Sequence, residues 1–254
     1  MKAERLAWFA GSLAVFAGLI WFWQFVSDNR WVSPVFLPGP DRAWTALLRG
    51  LNTGDLGMRW LATVERMIYG WFLASLAGIF LGALIGSSPR TRAYLGPTLE
   101  LMRPLPASAV VPLAIALLGL SEAMVLGVIA FGALWPMLLS TVHGFSAVEP
   151  RLYEVSRALG MTRSHVIWKI ALPSSMPDIM AGLRLSLTVS LILAVVGEML
   201  ASREGLGSHI MLAARAFRAP DLYAGVILLG VTGLVSAMLL GWAESWLLRW
   251  RESR

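Results

Sequence analysis

The chain has 254 residues, of which 57% are hydrophobic and 14% charged, where an average soluble domain carries about 25% charged residues. That imbalance excludes an ordinary soluble enzyme and predicts an integral membrane protein, while the absence of cysteine excludes disulfide frameworks and thiolate metal sites. The net charge of +6 fits the arginine and lysine excess of cytoplasmic loops, so a lipid bilayer is the expected partner and nucleic acid is not.

Lys2 and Arg5 precede an apolar run over residues 6–26. It is longer than the core of a secretory signal and lacks an A-x-A-type cleavage site, so the sequence predicts a retained first span. A long connection follows, containing LPGPDRAWTALLRG, in which Pro38 and Pro40 stop the span and Asp41 is placed to cap a short helix over residues 42–48. Further apolar runs cover residues 67–89, 104–121, 123–148, 185–197 and 222–243. Two are short for spanning, and extending them through residues 94–103 and 179–184 gives six transmembrane helices in an all-α, polytopic fold. Gly78, Gly82 and Gly86 form a small-xxx-small row suited to close helix packing.

With the N-terminus inside, the cytoplasm receives Lys2, Arg5, Arg90, Arg92, Arg151, Arg157, Arg163, Lys169, Arg249, Arg251 and Arg254. Six spans then place both termini in the cytoplasm. Gly205 and Gly207 mark an outer turn before an amphipathic helix reaching Arg218, which is either a solvated connector or a docking surface. Tryptophans near span ends (Trp8, Trp21, Trp23, Trp242, Trp246, Trp250) read as interface anchors.

One insert breaks the apolar pattern: EVSRALGMTRSHVIWKIALPSS, Glu154 to Ser175. Pro150 suits a first helical turn, and Leu152, Val155 and Leu159 make one apolar stripe. Glu154 is placed to pair with Arg151 or Arg157. Gly160 falls where a helix ends in a left-handed residue, and Thr162 is placed to cap a second helix carrying Val166, Ile167 and Ile170, which Pro173 is expected to stop. Two short helices at a rigid corner, with apolar and charged faces both on offer, suit a surface gripped by another protein.

This insert resembles the EAA loop of permease subunits of bacterial ABC importers: Glu-Ala-Ala, three residues, Gly, nine residues, Ile, one residue, Leu-Pro. Glu154, Gly160, Ile170, Leu172 and Pro173 stand at those spacings, with Val155-Ser156 in place of Ala-Ala. LPGPDRAW, Met102-Arg103-Pro104-Leu105-Pro106 with Val111-Pro112-Leu113, Ala181-Gly182-Leu183-Arg184-Leu185 and Gly197-Glu198-Met199-Leu200 are similar to segments of the nitrate/sulfonate/taurine branch. Within it the aliphatic-sulfonate kind is the nearest in character.

The resemblance implies a type I ABC importer permease fold with a cytoplasmic coupling helix: an N-terminal helix and periplasmic connection over residues 1–58, and a core permease domain over 59–254 with its coupling loop at 143–178. It implies a homodimer of permease chains, two cytoplasmic ABC ATPase subunits and a periplasmic substrate-binding protein, in the bacterial inner membrane. Coupling to the ATPase would fall to Glu154, Arg157, Ala158, Gly160, Thr162, Ile170, Leu172 and Pro173. The chain itself has no G-x-x-x-x-G-K-[ST] loop, and neither of its two lysines, Lys2 and Lys169, supplies one. It is therefore not the ATPase; ATP and Mg are expected on the partner, with no cofactor on this chain.

Ionisable groups within the spans are the remaining candidates. Arg103, Arg184 and Glu198 form a basic-and-acidic set expected along a substrate path, or else engaged in snorkelling and interhelical pairing. Glu65 is expected to pair with its neighbour Arg66. His143, His165 and His209 lie on separate elements without metal-ligand spacing, and no metal or catalytic constellation is expected. The substrates compatible with this reading are an aliphatic sulfonate or taurine, with nitrate, bicarbonate or an uncharged vitamin precursor as alternatives; an ion-coupled secondary transporter is a remote one.

Overall fold

The computed structural model of the chain describes residues 2–52, 54–102 and 105–249, with side chains from residue 7 onwards. Every regular element among the described residues is helical. In chain order these are α1 (Lys2–Asp28), α2 (Pro40–Asn52), α3 (Leu56–Gly86), α4 (Pro89–Met102), a 3-10 turn (Ala107–Val110), α5 (Val111–Leu118) and α6 (Glu122–Ser146). There follow α7 (Pro150–Ala158), α8 (Arg163–Val166), a π-helical segment (Ile167–Ala171), α9 (Leu172–Ala201), α10 (Leu206–Arg215) and α11 (Ala219–Leu247).

Five helical stretches are long and apolar enough to cross a membrane, and the bent pair Pro89–Met102 and Ala107–Leu118, angled at 82°, makes a sixth if counted as one span. Those two helices cover the stretch expected as the third span. The second begins at Leu56 rather than at residue 67, because Arg59, Glu65 and Arg66 are carried on the same continuous helix. Asp41 lies inside the first turn of α2 rather than capping it; the Gly39 carbonyl accepts from Arg42 and Ala43 there.

The core is a three-helix unit. α3 and α6 run parallel, and α9 runs antiparallel to both. The glycine row sets the spacing of the first pair: a Cβ on Gly78 would stand 2.8 Å from the Met137 Cβ, on Gly82 2.5 Å from the Thr141 Cβ, and on Gly86 2.7 Å from the Phe145 Cβ. Only a missing side chain permits that approach, which recovers dispersion contacts that lipid tails cannot supply. Hydrogen bonds fix the register, from Ser186 Oγ to the Ala133 carbonyl (2.8 Å) and from Trp71 Nε1 to the Leu183 carbonyl (3.1 Å). Trp60 Nε1 donates to Thr232 Oγ1 at 2.7 Å and ties α11 to the start of α3. Trp23 donates to the Pro38 carbonyl at 2.9 Å, so it holds the connection while Trp8 and Trp21 face outwards. Trp250, Arg251 and Arg254 lie outside the described residues.

Candidate functional site: the Gly160 corner and the Glu122 end

The bundle has two chemically distinct ends. At one, α6 descends to Ser146 and the chain turns into α7. Pro150 occupies the first turn of α7, where its missing N–H costs nothing. The helix closes in a Schellman arrangement: Met161 N–H donates to the Ser156 carbonyl (3.0 Å) and Gly160 N–H to the Arg157 carbonyl (3.1 Å). Gly160 has φ +63°, the left-handed conformation its sequence position predicts. Thr162 then caps α8, its hydroxyl accepting from His165 N–H at 3.4 Å.

Pro173 does not stop that helix. The chain runs on from Arg163 to Ala201 as one stretch of 39 residues. A proline ring clashes with the carbonyl four positions back and has no N–H to return to it. Here the π-helical turn at Ile167–Ala171 widens the backbone ahead of it, and Pro173 sits in the first turn of α9. The second helix of the insert is therefore the continuous extension of a span.

The motif residues divide by direction. Glu154, Arg157, Ala158, Gly160, Thr162 and Pro173 are exposed, whereas Ile170 and Leu172 pack against the buried cluster of Phe145, Val148, Ala171 and Ile179. The α7 stripe of Leu152, Val155 and Leu159 also faces outwards, Leu159 being 72% exposed. Among the described residues no ion pair joins Glu154 to Arg151 or Arg157. Arg151 lies 3.9 Å from Glu149 instead, and Arg157 Nε donates to the Tyr153 carbonyl (3.3 Å), which the neighbouring Ser156 hydroxyl also reaches (2.8 Å). Burial pushes the Tyr153 phenol above its ordinary pKa, against the opposing pull of Arg92.

At the opposite end, Arg66 gathers three elements. Its Nε and Nη2 bind the two oxygens of Glu122, at the start of α6, at 2.5 and 3.2 Å. Nη1 reaches Glu198 on α9 at 3.0 Å and the Glu204 carbonyl at 2.5 Å. Arg66 thus pairs across the bundle and not with Glu65, its chain neighbour. Glu198 has no solvent exposure. Its second oxygen accepts from Thr63 Oγ1 (3.0 Å) and Gly207 N–H (2.9 Å), while Leu206 N–H donates to Thr63 (2.8 Å). The turn is moulded to the carboxylate: a Cβ on Gly205 would stand 2.2 Å from Glu198 Cδ. This network fixes the entry of α10, and a charged group within an apolar run, such as Arg66, is the signal from which a buried partner can be sought.

Of the other path candidates, Arg184 on α9 pairs with Glu244 on α11 and lines a cavity of about 180 Å³ with Met67, Leu187 and Thr188. Arg103 lies outside the described residues. The structure does not bring Arg184 and Glu198 together.

The molecule is a helical bundle with five or six candidate membrane spans and an exposed two-helix corner at one end. The chain belongs to the binding-protein-dependent transport system inner membrane component family, whose model matches residues 74–252. It is 33% identical over 250 residues to the putative aliphatic sulfonates transport permease protein of Bacillus subtilis, covering 98% of this chain and 90% of that one. It is 30% identical over 225 residues to the taurine transport system permease protein of Escherichia coli (87% and 82% covered). It is 29% identical to the bicarbonate transport system permease protein of Synechococcus elongatus (94% and 90% covered). Among solved structures, a chain of the inward-facing MetNI methionine ABC transporter superposes with a TM-score of 0.63 at 17% identity, covering 83% of this chain and 97% of that one. A chain of an amino acid ABC transporter gives 0.61 at 18% identity, with 79% and 94% covered. The fold is that of an ABC importer permease, and the chain is a multi-pass inner-membrane permease subunit.

Proposed function

We propose that two copies of this chain form the path by which an ATP-driven importer moves a small anion, an aliphatic sulfonate or taurine, through alternating access. The observation that carries the reading is the corner at Gly160. Its exposed residues stand at the spacing by which the EAA loop engages an ATPase, while Ile170 and Leu172 anchor the corner in the bundle, so a push on it is delivered directly to α9. Glu154, Arg157, Ala158, Gly160, Thr162 and Pro173 make the contact face. Two ATPase subunits bind ATP and Mg, and a periplasmic protein delivers the substrate to the Glu122 end. The Gly160 corner and both termini lie in the cytoplasm in this arrangement. Arg184 is assigned to the substrate path; Glu198, enclosed on all sides, holds the α9–α10 turn instead.

Co-purification of the ATPase with Gly160→Pro and Glu154→Arg variants tests the coupling role: both are expected to stay in the membrane and lose the ATPase. Retention of the ATPase by both overturns it. The substrate is tested by growth of a deletion strain on single sulfur or nitrogen sources and at limiting inorganic carbon. A defect confined to alkanesulfonates or taurine is expected; a defect confined to bicarbonate or nitrate supports the second reading, which the likeness to the bicarbonate permease favours. Growth unaffected on all of these in a strain without a redundant importer points to an uncharged solute such as a vitamin precursor. Uptake abolished by an uncoupler while ATP is maintained would point to a secondary transporter.

A further inference from the structure

Behind the Gly160 corner lies a cavity of about 710 Å³, enclosed by the α3–α4 turn on one side and the α7–α8 corner on the other. Its walls include Ser87, Arg90, Tyr153, Arg157, Arg163 and Ile167, and among the described residues no acidic side chain lines it. Among the described residues no ion pair engages Arg90, Arg157 or Arg163. Three unneutralised guanidiniums around one concavity repel each other and make a strong field for an anion. Arginine's planar fork suits phosphate in particular.

The depth of the cavity decides which phosphate. Helix α3 has 31 residues, and at about 1.5 Å per residue it is about 46 Å long, close to the roughly 40–45 Å thickness of a bilayer with its headgroups. Ser87 and Arg90, directly after its end, therefore fall at the headgroup layer. Trp168 and Tyr94 stand exposed on the two elements flanking the cavity, as aromatic side chains do at that level. One wall is apolar, formed by Met161, Val166, Ile167 and Ala171, which suits the glycerol and upper acyl carbons of a lipid better than a free ion.

We propose that this cavity binds the phosphate headgroup of an anionic phospholipid, seating one lipid between the α3–α4 turn and the Gly160 corner. The lipid neutralises Arg90 and Arg163 and braces the corner against the bundle. Binding is a property of this chain alone and is tested without the ATPase, so its failure leaves the coupling reading standing.

The test uses the full chain in a neutral detergent, titrated calorimetrically with dihexanoyl-phosphatidylglycerol, dihexanoyl-phosphatidylcholine and inorganic phosphate. Saturable binding of the phosphatidylglycerol, about tenfold tighter than the phosphatidylcholine, is expected, with inorganic phosphate weaker than the phosphatidylglycerol. Arg90→Gln with Arg163→Gln is expected to weaken phosphatidylglycerol binding about tenfold and leave phosphatidylcholine unchanged. The control Arg215→Gln, at an exposed position at the end of α10, is expected to bind as the parent does. Equal binding of the two lipids by the unaltered chain overturns the proposal, as does a double variant that keeps full phosphatidylglycerol affinity. Inorganic phosphate binding as tightly as phosphatidylglycerol overturns the lipid as occupant and assigns the cavity to a free anion. The comparison among ligands needs no variant, so misfolding of the double variant does not shield the proposal.

Discussion

The Arg66 guanidinium lies 3.0 Å from the Glu198 carboxylate, 132 positions away in the chain, and the carboxylate has no solvent exposure. The contact joins the start of α3 to the end of α9, and through the Gly207 N–H it also holds the turn into α10. One buried acid thus organises the whole Glu122 end of the core.

Removing that acid strands its donors. Glu198→Ala leaves the Gly207 N–H without its acceptor and Arg66 with Glu122 and the Glu204 carbonyl alone, and is expected to cost about 1–3 kcal/mol. Glu122→Gln is expected to cost less than about 1 kcal/mol, because Glu122 is half exposed and Arg66 keeps Glu198. Thermal unfolding in detergent reads both. The double variant Arg66→Met with Glu198→Leu is expected to lose much less than the sum of the single losses, since no buried charge is left unpaired and Glu122, half exposed, is left to solvent.

Close packing of α3 on α6 predicts a steep contrast among glycines. Gly82→Leu drives a side chain into Thr141 and the Leu138 carbonyl, and Gly205→Ala places a methyl on the Glu198 carboxylate. Both are expected to lower the yield of folded protein severalfold in fluorescence-detected size exclusion. Gly96→Ala, with nothing within 4 Å of the new Cβ, is expected to match the parent or exceed it slightly.

The corner carries its own test. Thr162→Ala removes the acceptor for His165 N–H and is expected to destabilise α8 by about 1 kcal/mol, with Thr162→Ser close to neutral. Gly160→Ala forces a Cβ into a left-handed conformation at about 1–2 kcal/mol, and Gly160→Asn less. Hydrogen exchange across residues 150–171 is expected to quicken in the order Ser, Asn, Ala.

Asp55, just ahead of α3, donates nothing to the core but accepts from Arg59, and that hydrogen bond holds its carboxyl below the ordinary value. A lowered folded-state pKa stabilises above the unfolded value near 4 and is lost as pH falls through the folded one. Asp55 is largely exposed, so the effect is about a few tenths of a kcal/mol. Melting temperature measured from pH 5 to pH 2 is expected to fall slightly more steeply for the parent than for Asp55→Asn.

The sequence by itself determined what local chemistry dictates. Apolar run length placed most of the spans, the glycine row predicted a close helix seam without naming its partner, and Gly160 and Thr162 predicted a left-handed corner and its cap, since each depends on the residue and its immediate neighbours. Local pattern misplaced what depends on neighbours in space. Pro173 reads as a helix stop until the π turn before it is seen, because a tertiary contact of Ile170 and Leu172 with the core holds the backbone helical through it. Glu65 was the obvious partner for Arg66 by proximity in the chain, yet adjacent residues on a helix point about 100° apart, and the guanidinium reaches α6 and α9 instead. Only the tertiary structure decided which charges meet, because a buried ion is stabilised by whatever folds against it, and that choice is made across more than a hundred residues of intervening chain.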